Sequence, residues 1–133
     1  MNQNNTLQPQ FAIIPGNIIH KIITANLPRV VQVIEDAYLA HHQGITVNPD
    51  SYFLRFPDNP SARIIALPAH IGADPKIGSN GISGIKWIAS YPANLKLGIP
   101  RASAVLILND GQTGYPFACL ESSQVGCALR TII

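Results

Sequence analysis

The chain has 133 residues, enough for one domain whose core needs no disulfide staples. Apolar residues make up 47% and charged residues only 12%, which excludes intrinsic disorder, a coiled coil and a charged tail. Nine Lys and Arg against seven Asp and Glu leave a net charge of +2 with no two Lys or Arg adjacent, so the clustered cations of a nucleic-acid binder are missing.

Residues 1–10 are polar and are expected to be disordered, leaving 11–133 as the folded unit. Phe11 to Ile14 is a short apolar run closed by Pro15-Gly16, which predicts a first strand. Asn17 is a helix-cap candidate, and Ile18, Ile19, Ile22 and Ile23 recur at helical spacing. Asn26 is a second cap candidate. Pro28 then opens a helix to His42, with Val30, Val31, Ile34, Tyr38 and Leu39 as its apolar face and Gly44 as its stop.

Beyond Gly44 the period changes from helical to strand-like. Ser51 to Phe56 and Ala62 to Leu67 read as two strands joined by the turn Pro57-Asp58-Asn59-Pro60. Gly72 to Gly81 is a loop, Ile82 to Ala89 a strand, and Tyr91 to Pro100 another loop. Ala102 to Leu108 is so uniformly apolar that a strand buried on both faces is expected. A turn over Asn109 to Gly114 leads to a strand over Tyr115 to Leu120. Ser122 to Ile133 has a helical pattern capped by Ser122 or Ser123, and no capping residue at its other end. The fold class is α+β: two helices, a mainly antiparallel sheet of about five or six strands, then a helix.

Few residues promise catalysis. The chain has no GxSxG elbow, no Walker A motif and no GxGxxG turn, and Gly78-Ser79-Asn80-Gly81 leads into a strand rather than the helix a phosphate loop needs. Glu35, Asp36, Asp58, Asp74 and Asp110 read as solvated helix and turn residues. His41 and His42 answer the dipole at a helix C-terminus. Cys119 and Cys127 lack metal-ligand spacing, so reduced thiols and no metal are expected. The N-terminus has no signal-peptide pattern and no apolar run approaches the ~18–20 residues of a membrane span, which predicts a cytoplasmic protein with no membrane partner.

The cations are more telling. Arg55 in Tyr52-Phe53-Leu54-Arg55-Phe56, Lys86 in Ile85-Lys86-Trp87-Ile88 and Arg130 beside Leu129 and Ile132 all have apolar neighbours. Burying a cation is costly unless an anion meets it, so the three together point to a carboxylate pocket. The plainer alternative is that each side chain reaches water from its element. His70, at a strand end, is a candidate hydrogen-bond partner or proton carrier.

Five segments in order carry a further likeness: Arg63 to Gly72 (RIIALPAHIG), Ile82 to Ile88 (ISGIKWI), Arg101 to Asp110 (RASAVLILND), Thr113 to Pro116 (TGYP), and Glu121-Ser122-Ser123 with Ala128 to Thr131 (ALRT). Together they resemble the ornithine cyclodeaminase/mu-crystallin family over nearly the whole chain from about Phe11. The likeness is strongest to its siderophore-pathway branch, which releases 2,3-diaminopropionate. It implies an α+β substrate-binding and dimerisation domain, normally followed by a Rossmann domain that holds NAD.

By the resemblance, Arg55, Lys86 and Arg130 hold substrate carboxylates, while Arg101 and Ser103 face the nucleotide; His70 joins the expected substrate-binding residues on its own sequence context. The implied reaction oxidises a secondary amine to an imine with NAD as hydride acceptor, followed by hydrolysis. The implied partners are an amino dicarboxylate, a second copy of the chain and, for activity, an NAD-binding part, with a separate chain as one source of it. Neither the glycine-rich turn nor the family's acidic catalytic residue falls within the 133 residues. Ile132-Ile133 and Gly126-Cys127 also depart from the family pattern. The expectation is therefore a shortened chain that is inactive and binds no NAD alone. An ornithine cyclodeaminase-like domain and a non-enzymatic binding or dimerisation module are the alternatives.

Overall fold

The computed structural model describes residues 8–76 and 80–123. Its centre is a mixed sheet of seven strands: β1 (Ala12–Ile14), β2 (Thr46–Val47), β3 (Tyr52–Phe56), β4 (Asn59–Ile71), β5 (Ile82–Ser90), β6 (Ala102–Asp110) and β7 (Pro116–Glu121). The main path runs β1-β7-β6-β5-β4-β2, and β3 pairs with β4 on the same edge as β2. Every pairing is antiparallel except β1 with β7, which aligns Ala12 with Ala118 and Ile14 with Leu120 in parallel. The α+β class with a mainly antiparallel sheet is what the residue pattern predicts.

The helices α1 (Gly16–Ala25) and α2 (Leu27–His42) lie between β1 and β2 in the chain. Asn17 is not a cap: Pro15 takes the N-cap position, where its extended backbone turns the chain from β1 into α1. Asn26 is the hinge residue between the helices. Its side chain donates to the Ile22 carbonyl behind it at 2.8 Å rather than capping α2. Gly44 ends α2 as expected, at φ +76 with its amide on the His41 carbonyl.

The apolar stripe of α2 is a poor guide to what is buried. Asp36 and Ala40 are the buried residues, while Val31, Tyr38 and Leu39 stay exposed. The expectation of a solvated Asp36 is thus corrected. Its carboxylate accepts a hydrogen bond from Gln32 Nε2 at 3.2 Å, one turn earlier on the helix.

Three strand expectations are also corrected. The β3–β4 connection is only Pro57-Asp58, because Asn59 already pairs with Phe56 and a register shift after Arg55 absorbs the next residues. β4 runs on through Pro68. A proline cannot donate to a ladder, and Pro68 falls between the stretch of β4 bonded to β3 and the stretch bonded to β2. Ala102–Asp110 is longer than expected and is not buried on both faces: Ala104 is 8% exposed, but its neighbour Val105 is 36% exposed. The segment before it contains a 3-10 helix, Pro92–Leu97, started by its proline and stopped by Gly98 at φ +69. The helix expected over Ser122 to Ile133 lies outside the described residues after Ser123.

The β6–β7 turn is organised by Asp110. Its carboxylate accepts from the Thr113 hydroxyl and amide, both at 2.7 Å, and from the Gln112 amide at 3.1 Å. These bonds, the Thr113 hydroxyl foremost, hold the Asp110 carboxyl below its ordinary pKa. A depressed folded-state pKa gives stability that is present above the unfolded value and lost as pH falls through the folded one. Melting temperature measured against pH is expected to drop on this acidic limb, and Asp110→Asn to flatten it. At the start of β5, Gly81 has φ +72, and a Cβ there would lie 2.9 Å from the Ile71 carbonyl oxygen. Gly81→Ala is expected to destabilise by about 1–2 kcal/mol from the backbone conformation alone, with the clash adding to it, and thermal melting checks this.

Candidate functional site

In an antiparallel ladder, residues directly opposite each other project from the same face, and neighbours along a strand alternate. The register therefore sorts every strand residue. Arg55 lies opposite Arg63, Arg63 opposite Ser90, and Ser90 opposite Ala102. Four pairs further along, Leu67, Lys86 and Leu106 form another row. Arg55, Arg63, Ser90 and Lys86 thus share one face, and the sheet brings together two of the expected cations, Arg55 and Lys86.

Their surroundings differ. Lys86 is half-buried between two leucine positions, which desolvates its stem and leaves the ammonium as a point charge for an anion. Arg55 is exposed, with Cζ 5.2 Å from the centroid of the Phe53 ring, a cation–π contact that restrains the guanidinium. Arg130 lies outside the described residues.

His70 does not join them. It pairs with Ser83, one step out of phase with Leu67 and Lys86, and so sits on the opposite face. Its Nδ1 is 2.9 Å from Ser83 Oγ, a part-buried cross-strand hydrogen bond. Strand parity explains the separation, since 70 and 67 differ by an odd number on one strand. Ser103 also lies on that opposite face, in a cleft of about 330 Å³ with Trp87, Val105 and Glu121. Arg101 precedes β6, and its Nε donates to Ser90 Oγ at 3.3 Å, so its head reaches the end of the Arg55–Arg63–Ser90 row. The two residues expected at the nucleotide therefore point to different sides of the sheet.

Arg63 and Ser90 escape notice in the sequence, where Arg63 is one residue of an apolar run. The signal was available as parity: Arg63 and Leu67 differ by four, so a cation opposite Leu67 shares a face with Arg63. A second cavity, of about 470 Å³, opens between α2, β2 and the end of β4, lined by Ile34, Tyr38, His41, Thr46 and Ile71. There His41 Nδ1 meets Thr46 Oγ1 at 2.6 Å. Among the described residues no group of His, Cys, Asp and Glu could hold a metal ion, and no helix is long and apolar enough to cross a membrane.

Comparison with known proteins gives the chain relatives. Over 105 residues the chain is 43% identical to N-((2S)-2-amino-2-carboxyethyl)-L-glutamate dehydrogenase of Staphylococcus aureus, covering 76% of this chain and 30% of that protein. It is 28% identical over 106 residues to alanine dehydrogenase of Archaeoglobus fulgidus, covering 80% and 29%. The chain thus spans about a third or less of the length of these relatives.

Among solved structures, Thermococcus litoralis Delta(1)-pyrroline-2-carboxylate reductase, in complex with NADH and L-proline, has the same fold at TM-score 0.75. It is 22% identical, with 87% of this chain and 33% of that one covered. An archaeal alanine dehydrogenase dimer with bound NAD matches at TM-score 0.74 and 24% identity, covering 89% and 33%. Residues 20–132 match the ornithine cyclodeaminase/mu-crystallin family model, and the chain belongs to that family.

Proposed function

We propose that this chain is the substrate-binding part of an NAD-dependent dehydrogenase acting on N-(2-amino-2-carboxyethyl)-L-glutamate, with 2,3-diaminopropionate and 2-oxoglutarate as products. The observation that carries the reading is the shared face of Arg55 and Lys86, in a chain 43% identical to an enzyme of that name. The role of its residues is to bind and orient. Lys86 meets one carboxylate as a point charge between apolar walls, and Arg55 offers a fork to a carboxylate. Arg130, by its place in the family motif, completes the set.

The described residues do not fit the cofactor. A dinucleotide pyrophosphate needs a turn with several glycines that opens a helix, whereas among the described residues α1 opens on the single Gly16, and Gly81 and Gly84 precede and lie within β5. NAD is therefore held by a part of the enzyme other than these residues, in the same chain or in a separate one.

The opposite face of the sheet supports self-association. Tyr52, Leu54, Trp87, Val105, Phe117 and Ile13 all lie there by register and are all at least 36% exposed. An apolar patch of this kind is unusual on a monomer, and a second copy packing sheet against sheet would cover it. This gives the binding reading a dimeric form.

Calorimetry with N-(2-amino-2-carboxyethyl)-L-glutamate is expected to show binding that Lys86→Ala weakens by about 10-fold or more, the scale of one charge-assisted hydrogen bond. Equal affinity of the variant would defeat the assignment. Sedimentation is expected to show a dimer, and Trp87→Glu to shift it to monomer, since a carboxylate at that interface would be buried without a partner.

A further inference from the structure

We propose that Arg63 is a specificity residue of this site, which with Arg55 grips a second carboxylate and so selects a dicarboxylate ligand over a monocarboxylate amino acid. The inference rests on the carboxylate-binding reading above and says which ligands that site accepts.

Three observations carry it. First, Arg63 Nε is buried and lacks a hydrogen-bond partner, the one such side-chain nitrogen or oxygen among the described residues. A buried N–H without an acceptor costs free energy, so its presence calls for an acceptor that a ligand would bring. Second, Arg55 stands directly opposite on β3. Like charges at directly opposed positions repel, and an anion between them reverses the sign of that interaction. The strand positions on this face carry a single carboxylate, Asp110. It sits at the far end of the ladder opposite Ile82 and is engaged by Thr113 and Gln112.

Third, the spacing separates two carboxylate positions. Ser90, opposite Arg63, is four residues from Lys86 on β5, a run of about 13 Å. Side chains stand roughly perpendicular to a sheet, so the arginine pair and the lysine head are not poised on one carboxylate. A charge-assisted hydrogen bond of about 2.8 Å at each end leaves about 7 Å between the two carboxylates. That suits a glutamate-length chain bearing a further carboxylated arm and exceeds what alanine or proline offers. The arginine row extends to Arg101 through Ser90, which keeps this end of the face cationic.

The test uses the 133-residue chain with pimelate, whose two carboxylates lie about 7 Å apart when extended, and hexanoate as probes. Calorimetry is expected to show pimelate binding at least 10-fold tighter than hexanoate. Arg63→Gln is expected to abolish that preference while leaving hexanoate unchanged, and Arg63→Lys, which keeps the charge but loses the Nε fork, to restore it in part. The Arg63 Nε–Hε resonance of the unsubstituted protein is expected to move on adding pimelate and not hexanoate, which decides the matter even if Arg63→Gln fails to fold. An unmoved resonance, or an intact preference in folded Arg63→Gln, overturns the assignment of Arg63. If Lys86→Ala still weakens the amino-glutamate substrate in that case, the reading of the site survives. Absence of binding by every ligand overturns both.

Discussion

Register is the constraint on which the rest of this structure depends. The nine consecutive pairs between β4 and β5, continued by nine between β5 and β6, fix which side chain projects to which side over most of the sheet. A slip by one residue would carry Lys86 to the face of Trp87 and scatter the cations. Gly84 helps to hold the ladder in place, because a Cβ there would come within 2.8 Å of the Ile107 carbonyl oxygen. Side-chain placement in this fold is thus decided by parity along two long strands, and both faces, each mixing apolar and polar residues, arise from one alternation.

The distribution of burial follows from the same geometry. The buried apolar residues of the described chain are Ile19, Ala40, Ala62, Ala104 and Ala118, four of them alanines. No large side chain is fully buried, and many, such as Tyr52 and Trp87, are substantially exposed. Small residues let strands and helices approach but remove little apolar area from water. Half-exposed isoleucines and leucines then account for the low charge: they are surfaces suited to contact with another layer of protein rather than with water.

Much of this was legible in the sequence, for identifiable reasons. Turn chemistry at Pro15-Gly16, Pro57-Asp58 and Gly44 bounded the elements, and the change from helical to alternating period at Gly44 marked the class. Within the sheet, the readings that failed depended on a partner strand. Pro68 reads as a strand breaker, yet a gap between two neighbouring strands accommodates it. Ala102 to Leu108 reads as buried on both faces, yet one face is uncovered in a single chain. His70 shares a segment with Arg63 and Leu67 yet projects from the opposite face to Lys86, since proximity in sequence does not record parity. Arg63 was hidden by the converse effect: it looks like one residue of an apolar run until its partner across the ladder is known.

The parallel pairing of β1 with β7 has a consequence for how this domain is made. Ala12 and Ala118 are brought side by side across more than a hundred residues of intervening chain. Contacts of that span form late, because closing so long a loop is entropically costly before other contacts reward it. On the ribosome, the strand that precedes α1 cannot find its place until β7 has emerged. α1, which packs on β7, therefore waits with its apolar face open, and this interval is when the nascent domain is most vulnerable to aggregation.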